Sequence, residues 1–462
     1  MSEAVNVGTR WELMVDSFLV EELRDLRFEL QRPERREISF EGDAAWEDDI
    51  AYPLSVVQDG GQVRLYYRAS IPDRSNEDQV VFAMAESLDG GRTFHRPDLG
   101  LVEFEGSRDN NILYIGEPPF VPPPAFIDTN PACPPDQRYK GLGARWRKLF
   151  AMVSADGLTW RPLTEEPLEM EGTFDTVNTA FWDAQTGCYR CYTRYFENLQ
   201  EDMVEADVLG PEPTVVRAIQ SSTSPDFLTW SPVAHNEYED AHHDMQLYTN
   251  AAIPCPGAEH LYLAFPNRYV QERVPDAEHP SPGVNDALFM VSRDGVHWKR
   301  YTEAWVRPGL DPLNWTDRNN YPTWGIVQTS ETEWSMYITE HYRRPGTPTR
   351  LRRLSVRPRG FVSLRGGLEG GEARTRPFTF SGTELHLNYS TSAAGSIRVE
   401  VQDEAGAALP GCGLDDMEPV YGDAVDGVAR WRERADLTDL VGRAVRLRIE
   451  VKDADLYALR FA

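Results

Sequence analysis

The sequence of 462 residues is poor in cysteine and lacks long apolar runs. Its five cysteines are scattered and odd in number, which argues against a disulfide framework. No stretch approaches the ~18 apolar residues that a membrane span requires, and the first residues show no basic segment followed by an apolar one. We therefore expect a cytoplasmic protein that does not enter a membrane.

Positive charge is also scarce. Asp and Glu number 74 against 47 Lys and Arg, which gives a net charge of −27. Such a chain is repelled at long range by phosphate backbones, so we expect no nucleic-acid partner. The 41% of hydrophobic residues suffice for large buried cores, and the oligomeric state stays open.

Several catalytic motifs are missing. The sequence has no glycine-rich loop between a strand and a helix, no Gly-x-Ser-x-Gly and no His-Glu-x-x-His, so nucleotide, esterase and zinc-peptidase chemistry lack support. The adjacent His242 and His243 would point to opposite faces of a strand, and Cys188 and Cys191 have no second pair. We expect neither a metal nor a cofactor.

One pattern recurs four times: Ser-x-Asp, then a turn, then an aromatic residue. Its aspartates are Asp89, Asp156, Asp226 and Asp294, spaced 67, 70 and 68 residues apart. This period is too long for a helical solenoid and indicates repeated small sheets. Ser and Asp side chains tie the backbone of a turn, and the aromatic residue holds the next strand. The pattern predicts a hairpin corner in each sheet.

A fifth unit follows from a strand at Ser335 to Thr339 and a degenerate corner at Leu354 to Phe361. We predict an all-β chain, with a five-bladed β-propeller over residues 1–361. Trp11 to Val20 would complete the last blade, because closing the ring removes exposed sheet edges. Alternating strands after a glycine-rich boundary predict a β-sandwich over residues 362–462, which braces the propeller or binds sugar.

The innermost strands of a propeller line its channel, so residues at their starts converge. Carboxylates occur there in three blades: Glu47 and Asp48 in blade one, Asp128 in blade two and Asp175 in blade three. Cleavage of a glycosidic bond uses such groups, because one acid protonates the leaving oxygen while another carboxylate activates water or attacks the sugar. Asp128 would equally well cap a turn, and Asp48 would equally well be a solvated neighbour.

Other polar and aromatic residues near the inner strands are candidates for binding a carbohydrate substrate. Trp46 would form a sugar platform, and the arginines would hydrogen-bond hydroxyls. Glu340 is a reserve acid whose structural alternative is an ion pair with a neighbouring arginine. The full set is Trp46, Asn178, Arg194, Asp244, Tyr248, Arg268, Trp324 and Glu340.

The five units, the Ser-x-Asp-Gly corners and the acids of blades one to three resemble the five-bladed propeller glycosidases, the group of invertase-like and arabinanase-like enzymes. The resemblance covers roughly residues 10–361. It implies a glycoside hydrolase acting on a furanoside or a related non-reducing-end sugar, with Glu47 or Asp48 as nucleophile or base, Asp128 as stabiliser and Asp175 as proton donor.

The sequence departs from that group in its signatures. The Trp-x-Asn-Asp-Pro-Asn motif is absent, blade two reads Ile-Asp-Thr in place of Arg-Asp-Pro, and blade three has Asp in place of Glu-Cys. These departures indicate a divergent branch. Two alternatives remain: a non-catalytic carbohydrate-binding propeller, or a glycoside phosphorylase, which needs a basic cluster to hold phosphate beside the acids.

Overall fold

The computed structural model of the chain describes residues 4–47, 51–70, 80–116, 120–145, 148–198, 215–279, 281–434 and 436–462. It divides into two compact units, Pro33–Pro254 with Glu259–Ser355, and Met1–Arg32 with Cys255–Ala258 and Val356–Ala462. Within the described ranges the helices are short 3-10 turns at Pro135–Gln137, Pro312–Asn314 and Thr438–Leu440. In this described part, no helix is long and apolar enough to cross a membrane.

The larger unit is a five-bladed β-propeller, as predicted, because its strands form five separate, mainly antiparallel sheets. Blade one contains Tyr52–Asp59, Gln62–Ser70, Val80–Ser87 and Ile112–Gly116. Blade two contains Phe120–Val121, Phe126–Ile127, Tyr139–Arg145, Lys148–Ser154 and Arg161–Pro162. Blade three contains Thr179–Asp183, Cys188–Glu197, Val216–Ser224 and Ala234–His235. Blade four contains Glu237–Tyr238, Ile253–Cys255, Ala258–Ala264, Asn267–Val270, Val284–Ser292 and His297–Val306. Blade five contains Val327–Gln328, Trp334–Glu340, Arg350–Val356 and Glu34–Glu41.

The four Ser-x-Asp segments form the corners that the sequence predicts. In each, the serine hydroxyl donates to the aspartate at 2.7–3.2 Å. The same aspartate oxygen accepts two backbone N–H groups at 2.7–3.0 Å. Each corner is therefore closed by bonds within a few residues, which is why it leaves a local signature in the sequence.

The corners also join neighbouring blades. The Tyr66 hydroxyl of blade one donates to the carbonyl of Gly157 at 3.0 Å, and that of Tyr337 in blade five donates to the carbonyl of Gly91 at 2.7 Å. Both glycines have positive φ, and a Cβ at either position would collide with the tyrosine hydroxyl. The bond from Tyr337 joins the last blade to the first.

The prediction that Trp11 to Val20 closes the ring is wrong. The outer strand of blade five is Glu34–Glu41, which pairs antiparallel with Arg350–Val356. Glu12–Leu13 pairs instead with the last strand of the smaller unit. The closing strand is largely exposed and rich in charge, as suits a sheet edge, and this polar composition hides it among loop segments in the sequence.

A second inter-blade link repeats around the ring. An aspartate at the end of an inner strand accepts a hydrogen bond from a tyrosine of the next blade. The pairs are Asp59 with Tyr139, Asp128 with Tyr189 at 2.6 Å, and Asp183 with Tyr262 at 2.5 Å. A basic side chain, Arg138, Lys140 or Arg190 respectively, lies beside each carboxylate. These aspartates join blade to blade.

The smaller unit is built on one eight-stranded sheet and a parallel pair of short strands. The sheet contains Glu12–Leu13, Val20–Arg24, Leu26–Leu30, Val362–Gly366, Gly371–Thr375, Leu385–Gln402, Asp423–Ala429 and Arg446–Phe461, and the pair is Val5–Gly8 with Phe378–Phe380. The two longest strands pair with each other, and their register breaks between Thr391 and Ser396. On either side of this break the last strand acquires different neighbours. The sandwich, and its bracing or sugar-binding role, stay predictions.

Candidate functional site

The inner strands of the propeller run between two cavities. In blade one the strand begins at Tyr52, which lines the first cavity, and continues through Val56 to Gln58, which line the second. In blade five, likewise, Tyr321 lines the first cavity and Trp324 lines the second. The channel therefore has two chemically distinct ends, and the end that a residue occupies decides what it can contact.

The first cavity, called the polar cavity below, encloses about 260 Å³ where the inner strands begin. It is lined by Tyr52, Arg68, Asp175, Thr176, Tyr248, Arg318, Tyr321 and Arg343. The second, the apolar cavity, encloses about 430 Å³ and is lined mainly by aliphatic and aromatic side chains. Proton transfer and ion recognition need the side chains of the polar cavity.

Three tyrosines form one wall of the polar cavity. Tyr321 lies between the other two, with ring centroids 6.5 Å from Tyr52 and 5.7 Å from Tyr248 in edge-to-face geometry. Each precedes or begins the inner strand of its blade, which is why residues from blades one, four and five meet here. Such rings offer both an apolar surface and a hydroxyl to a bound sugar.

Asp175 is the predicted carboxylate that lines this cavity. Its side chain is 52% exposed and forms an ion pair with Arg194, which is 4% exposed. The position of Arg194 is set by strand pairing in blade three, where a β-bridge joins Arg194 to Thr173. Its guanidinium also lies 5.0 Å from the ring of Tyr248. A buried arginine therefore fixes the carboxylate and tyrosine side by side.

Tyr248 lies among three guanidiniums. Those of Arg194, Arg217 and Arg318 are 5.0, 5.5 and 5.8 Å from its ring centroid. Burial raises the pKa of Tyr248, but the positive charges, that of Arg318 foremost, prevail and hold it below the ordinary value of 10. The cavity thus favours the ionised form of this hydroxyl.

Glu47, the candidate blade-one acid that the structure describes, does not line the polar cavity with Asp175. Glu47 is fully buried, where it accepts hydrogen bonds from the Tyr67 hydroxyl at 2.5 Å, Arg96 Nε at 2.8 Å and the Ala44 backbone at 2.8 Å. A carboxylate with this many donors is engaged in holding its surroundings together. Asp48 lies outside the described residues.

Asp128 lies at the other end of its inner strand. Ile127 lines the apolar cavity, and the next residue, Asp128, is a buried member of the Asp–Tyr repeat. Its carboxylate accepts from Lys140 Nζ at 2.6 Å and from the Asn130 backbone at 2.9 Å. These contacts match the structural alternative, in which Asp128 ties a turn. They also explain why Asp128 stands beside Thr-Asn-Pro.

Of the other binding candidates, Tyr248 lines the polar cavity and Trp324 lines the apolar one, whereas Arg194 is buried and reaches the polar cavity only through its ion pair with Asp175. Asn178 is buried, and its amide donates to the carbonyls of Phe174 and Thr176. Trp46 is half-buried in blade one and donates to Asn111 at 3.1 Å.

Arg268 and Glu340 are used in ion pairs of their own blades. Both nitrogens of the Arg268 fork contact Asp286, at 2.8 and 2.5 Å. Glu340 is 2% exposed and accepts from Arg350 and Arg352 at 3.1 Å, with Arg35 at 3.8 Å, so its ion-pair partners are other arginines than the Arg343 or Arg344 that the sequence suggests. Asp244 is exposed and does not line the polar cavity.

Sequence reasoning missed most of the cavity. Arg68, Arg318 and Arg343 carry no local signal, because they lie in different blades or in turns after unrelated strands. A signal existed for the tyrosines, since Tyr52 and Tyr321 are each followed by proline at the head of an inner strand. In the described part of the chain, no three His, Cys, Asp or Glu side chains converge as a metal site.

No protein-family model and no curated protein matches the sequence. Among solved structures, an N-acetylgalactosamine deacetylase from F. plautii in complex with blood group B trisaccharide is 12% identical, covering 71% of this chain and 95% of that one, with a TM-score of 0.44. A glycosyl hydrolase from Bacteroides ovatus is 14% identical, with coverages of 70% and 93% and a TM-score of 0.43. An α-L-arabinofuranosidase from Fusarium graminearum in complex with an iminosugar inhibitor is 12% identical, with coverages of 71% and 98% and a TM-score of 0.39. The class of the protein, an all-β chain built on a five-bladed propeller, is defined by its own five sheets.

Proposed function

We propose that this protein is an enzyme acting on glycosidic bonds, that the sugar binds in the polar cavity, and that Asp175 is its catalytic carboxylate. The observation that carries the proposal is the half-exposed carboxylate of Asp175 at a cavity walled by tyrosines. The volume of 260 Å³ lies near the lower end of the range for small-molecule pockets and suits about one sugar ring.

The ion pair with Arg194 bears on the role of Asp175. A guanidinium in contact favours the ionised carboxylate, which suits a base, a nucleophile or a stabiliser of oxocarbenium charge. The proposal therefore assigns Asp175 one of these roles in place of the proton donor that the resemblance implies. Tyr248, whose hydroxyl is held toward its ionised form, is the neighbouring group in the cavity.

The test is a screen of the purified chain against aryl furanosides and pyranosides, with Asp175→Asn beside the wild type. We expect the variant to lose about 100-fold or more in kcat/KM while it remains folded at the assay temperature. Asp136→Asn is the matched control, because Asp136 is 63% exposed in a surface ion pair with Arg161. Full activity in Asp175→Asn would remove that residue from the mechanism.

Phosphorolysis is the second candidate, and the arginines of the cavity favour it. A phosphorylase uses phosphate as the nucleophile, so it needs cationic groups beside the sugar and fewer protein carboxylates. Asp175 is the one carboxylate among the described residues that line the cavity, beside three arginines. Repeating the screen with added phosphate separates the two reactions, since only phosphorolysis depends on phosphate and releases a sugar phosphate. Sugar binding without turnover in either condition would leave the non-catalytic alternative.

A further inference from the structure

We infer that the polar cavity recognises an acidic sugar, such as a uronic acid, and that Arg68, Arg318 and Arg343 hold the sugar carboxylate. This inference rests on the proposed function, because it names the substrate class of the same cavity. It differs from the furanoside that the sequence resemblance implies, since it concerns a charged group and not the size of the ring.

The first argument is charge. The cavity is lined by three guanidiniums and one carboxylate, and that carboxylate already pairs with Arg194. The whole chain carries a net charge of −27, so a cavity with excess positive charge is a local reversal. Partly enclosed positive groups attract and retain an anion more strongly than exposed ones.

The second argument is that, in the described part of the chain, two of these arginines have no acid partner. Among the described residues, no carboxylate lies within ion-pair distance of Arg68 or Arg343; Arg343 donates to the Ser281 hydroxyl at 2.9 Å, and Arg68 donates weakly to the Tyr52 hydroxyl at 3.4 Å. Elsewhere in the propeller, Arg268 has a two-pronged carboxylate partner. A half-buried guanidinium without an acid is costly unless a ligand supplies one.

The third argument is how these side chains are held. Arg318 donates to the Tyr342 hydroxyl at 2.9 Å and has Asp317 at 3.5 Å from its Nε. Arg318 and Arg343 both have left-handed backbone, with φ of 56° and 55°. Such a conformation costs energy in a non-glycine residue and is concentrated at ligand clamps. Two strained positions thus direct arginines to one cavity.

The volume favours a carboxylate attached to the sugar over separate phosphate. A cavity of 260 Å³ suits about one ring, and phosphate would have to share that space with it. A uronate carries its anion on the ring itself. The planar guanidinium fork also matches the two oxygens of a carboxylate.

The test is calorimetric titration of the full chain with glucuronate, galacturonate, glucose, galactose and inorganic phosphate at fixed ionic strength. We expect a uronate to bind at least about 10-fold more tightly than its neutral counterpart, and this preference to weaken as salt is added. Arg68→Gln and Arg343→Gln should each reduce uronate affinity about 10-fold or more and reduce neutral-sugar affinity by much less, because a neutral sugar has no carboxylate to pair with them, and neither should lower the unfolding midpoint. Arg343→Lys keeps the positive charge and loses the planar fork, so its uronate affinity should lie between those of the wild type and Arg343→Gln. Arg161→Gln, at an exposed surface pair, is the control.

Equal affinity for uronates and neutral sugars would overturn the inference, as would binding of phosphate without uronate, or uronate affinity that both glutamine variants retain. The proposed function fails separately. If uronates bind as expected and no aryl glycoside or uronide is cleaved, the recognition stands and the catalytic proposal is wrong. If neutral aryl glycosides are cleaved and uronates do not bind, the catalytic proposal stands and the inference of an acidic sugar is wrong.

Discussion

Asp128→Asn separates a structural carboxylate from a catalytic one. The sequence leads one to expect an inactive protein with an intact fold, whereas the contacts of Asp128 in the structure predict the opposite. The substitution removes the negative charge beside Lys140, whose side chain is 3% exposed. It keeps one carbonyl oxygen, which can accept either from the Asn130 backbone N–H, as Oδ1 does, or from the Tyr189 hydroxyl, as Oδ2 does.

The magnitude follows from burial. Removing one partner of a buried ion pair costs about 3–5 kcal/mol, because the other charge is left without compensation. The retained hydrogen-bond acceptor places Asp128→Asn at the low end, about 3 kcal/mol. Burial lowers the pKa of Lys140, but the hydrogen bond and charge of Asp128, together with Tyr189, outweigh it and raise that pKa above the ordinary value of 10.5. The stability from this pair is therefore present below pH 10.5 and is lost as the pH rises through the folded-state pKa.

The assay is chemical denaturation of the wild type and three Asp→Asn variants. Asp183→Asn should lose a similar amount to Asp128→Asn, because its carboxylate accepts from Tyr262 and lies 3.6 Å from the buried Arg190. Asp175→Asn should lose less stability than Asp128→Asn, because water reaches the 52% exposed carboxylate of Asp175 and weakens its ion pair with the buried Arg194. The reasoning would be refuted if Asp128→Asn were as stable as the wild type yet inactive on a glycoside that the wild type cleaves.

Three further substitutions test other buried or perturbed groups. Glu47→Gln should lower the free energy of unfolding by about 3 kcal/mol without a specific effect on turnover, measured by denaturation and by kcat at saturating substrate; a stable but inactive variant would restore Glu47 as a catalytic residue. The hydrogen bond from Arg138 lowers the pKa of Asp59 from 3.8 to about 2, so the stability it contributes is present above pH 3.8 and lost as the pH falls toward 2. Asp59→Asn should flatten that part of a plot of unfolding free energy against pH, and an unchanged slope would contradict the assignment. Tyr248→Phe should remove a tyrosinate absorbance that the wild type develops below pH 10, because burial raises the pKa of Tyr248 but the charges of Arg318, Arg194 and Arg217 together outweigh it; identical titrations below pH 10 would count against the arginine cluster.

The blade count and the corners were predictable because their chemistry is local. Ser292 and Asp294 bond within a few residues of each other, so the same letters recur wherever the same turn is made. Asp175 was predictable for a related reason: it lies shortly before the inner strand of its blade, Thr179–Asp183, and the ends of inner strands meet by the geometry of the fold.

The remaining acids could not be sorted in this way. Glu47, Asp128 and Asp175 have similar local sequence contexts, and they differ in which buried cation lies opposite and which end of the channel is near. Those partners are Arg96, Lys140 and Arg194 respectively, between 12 and 49 residues away in the sequence. Long-range packing determines these partners, and the residues next to each acid in the sequence do not indicate them.

The amino-acid sequence alone thus determined five sheets, their turns and one carboxylate of the polar cavity, because short-range hydrogen bonds and strand order generate these features. Tertiary structure alone decided that Glu34–Glu41 closes the ring and that Arg68, Arg318 and Arg343 meet around a single space. A pairing partner and a shared cavity are properties of distances between remote segments, and those distances are fixed only when the blades pack against one another.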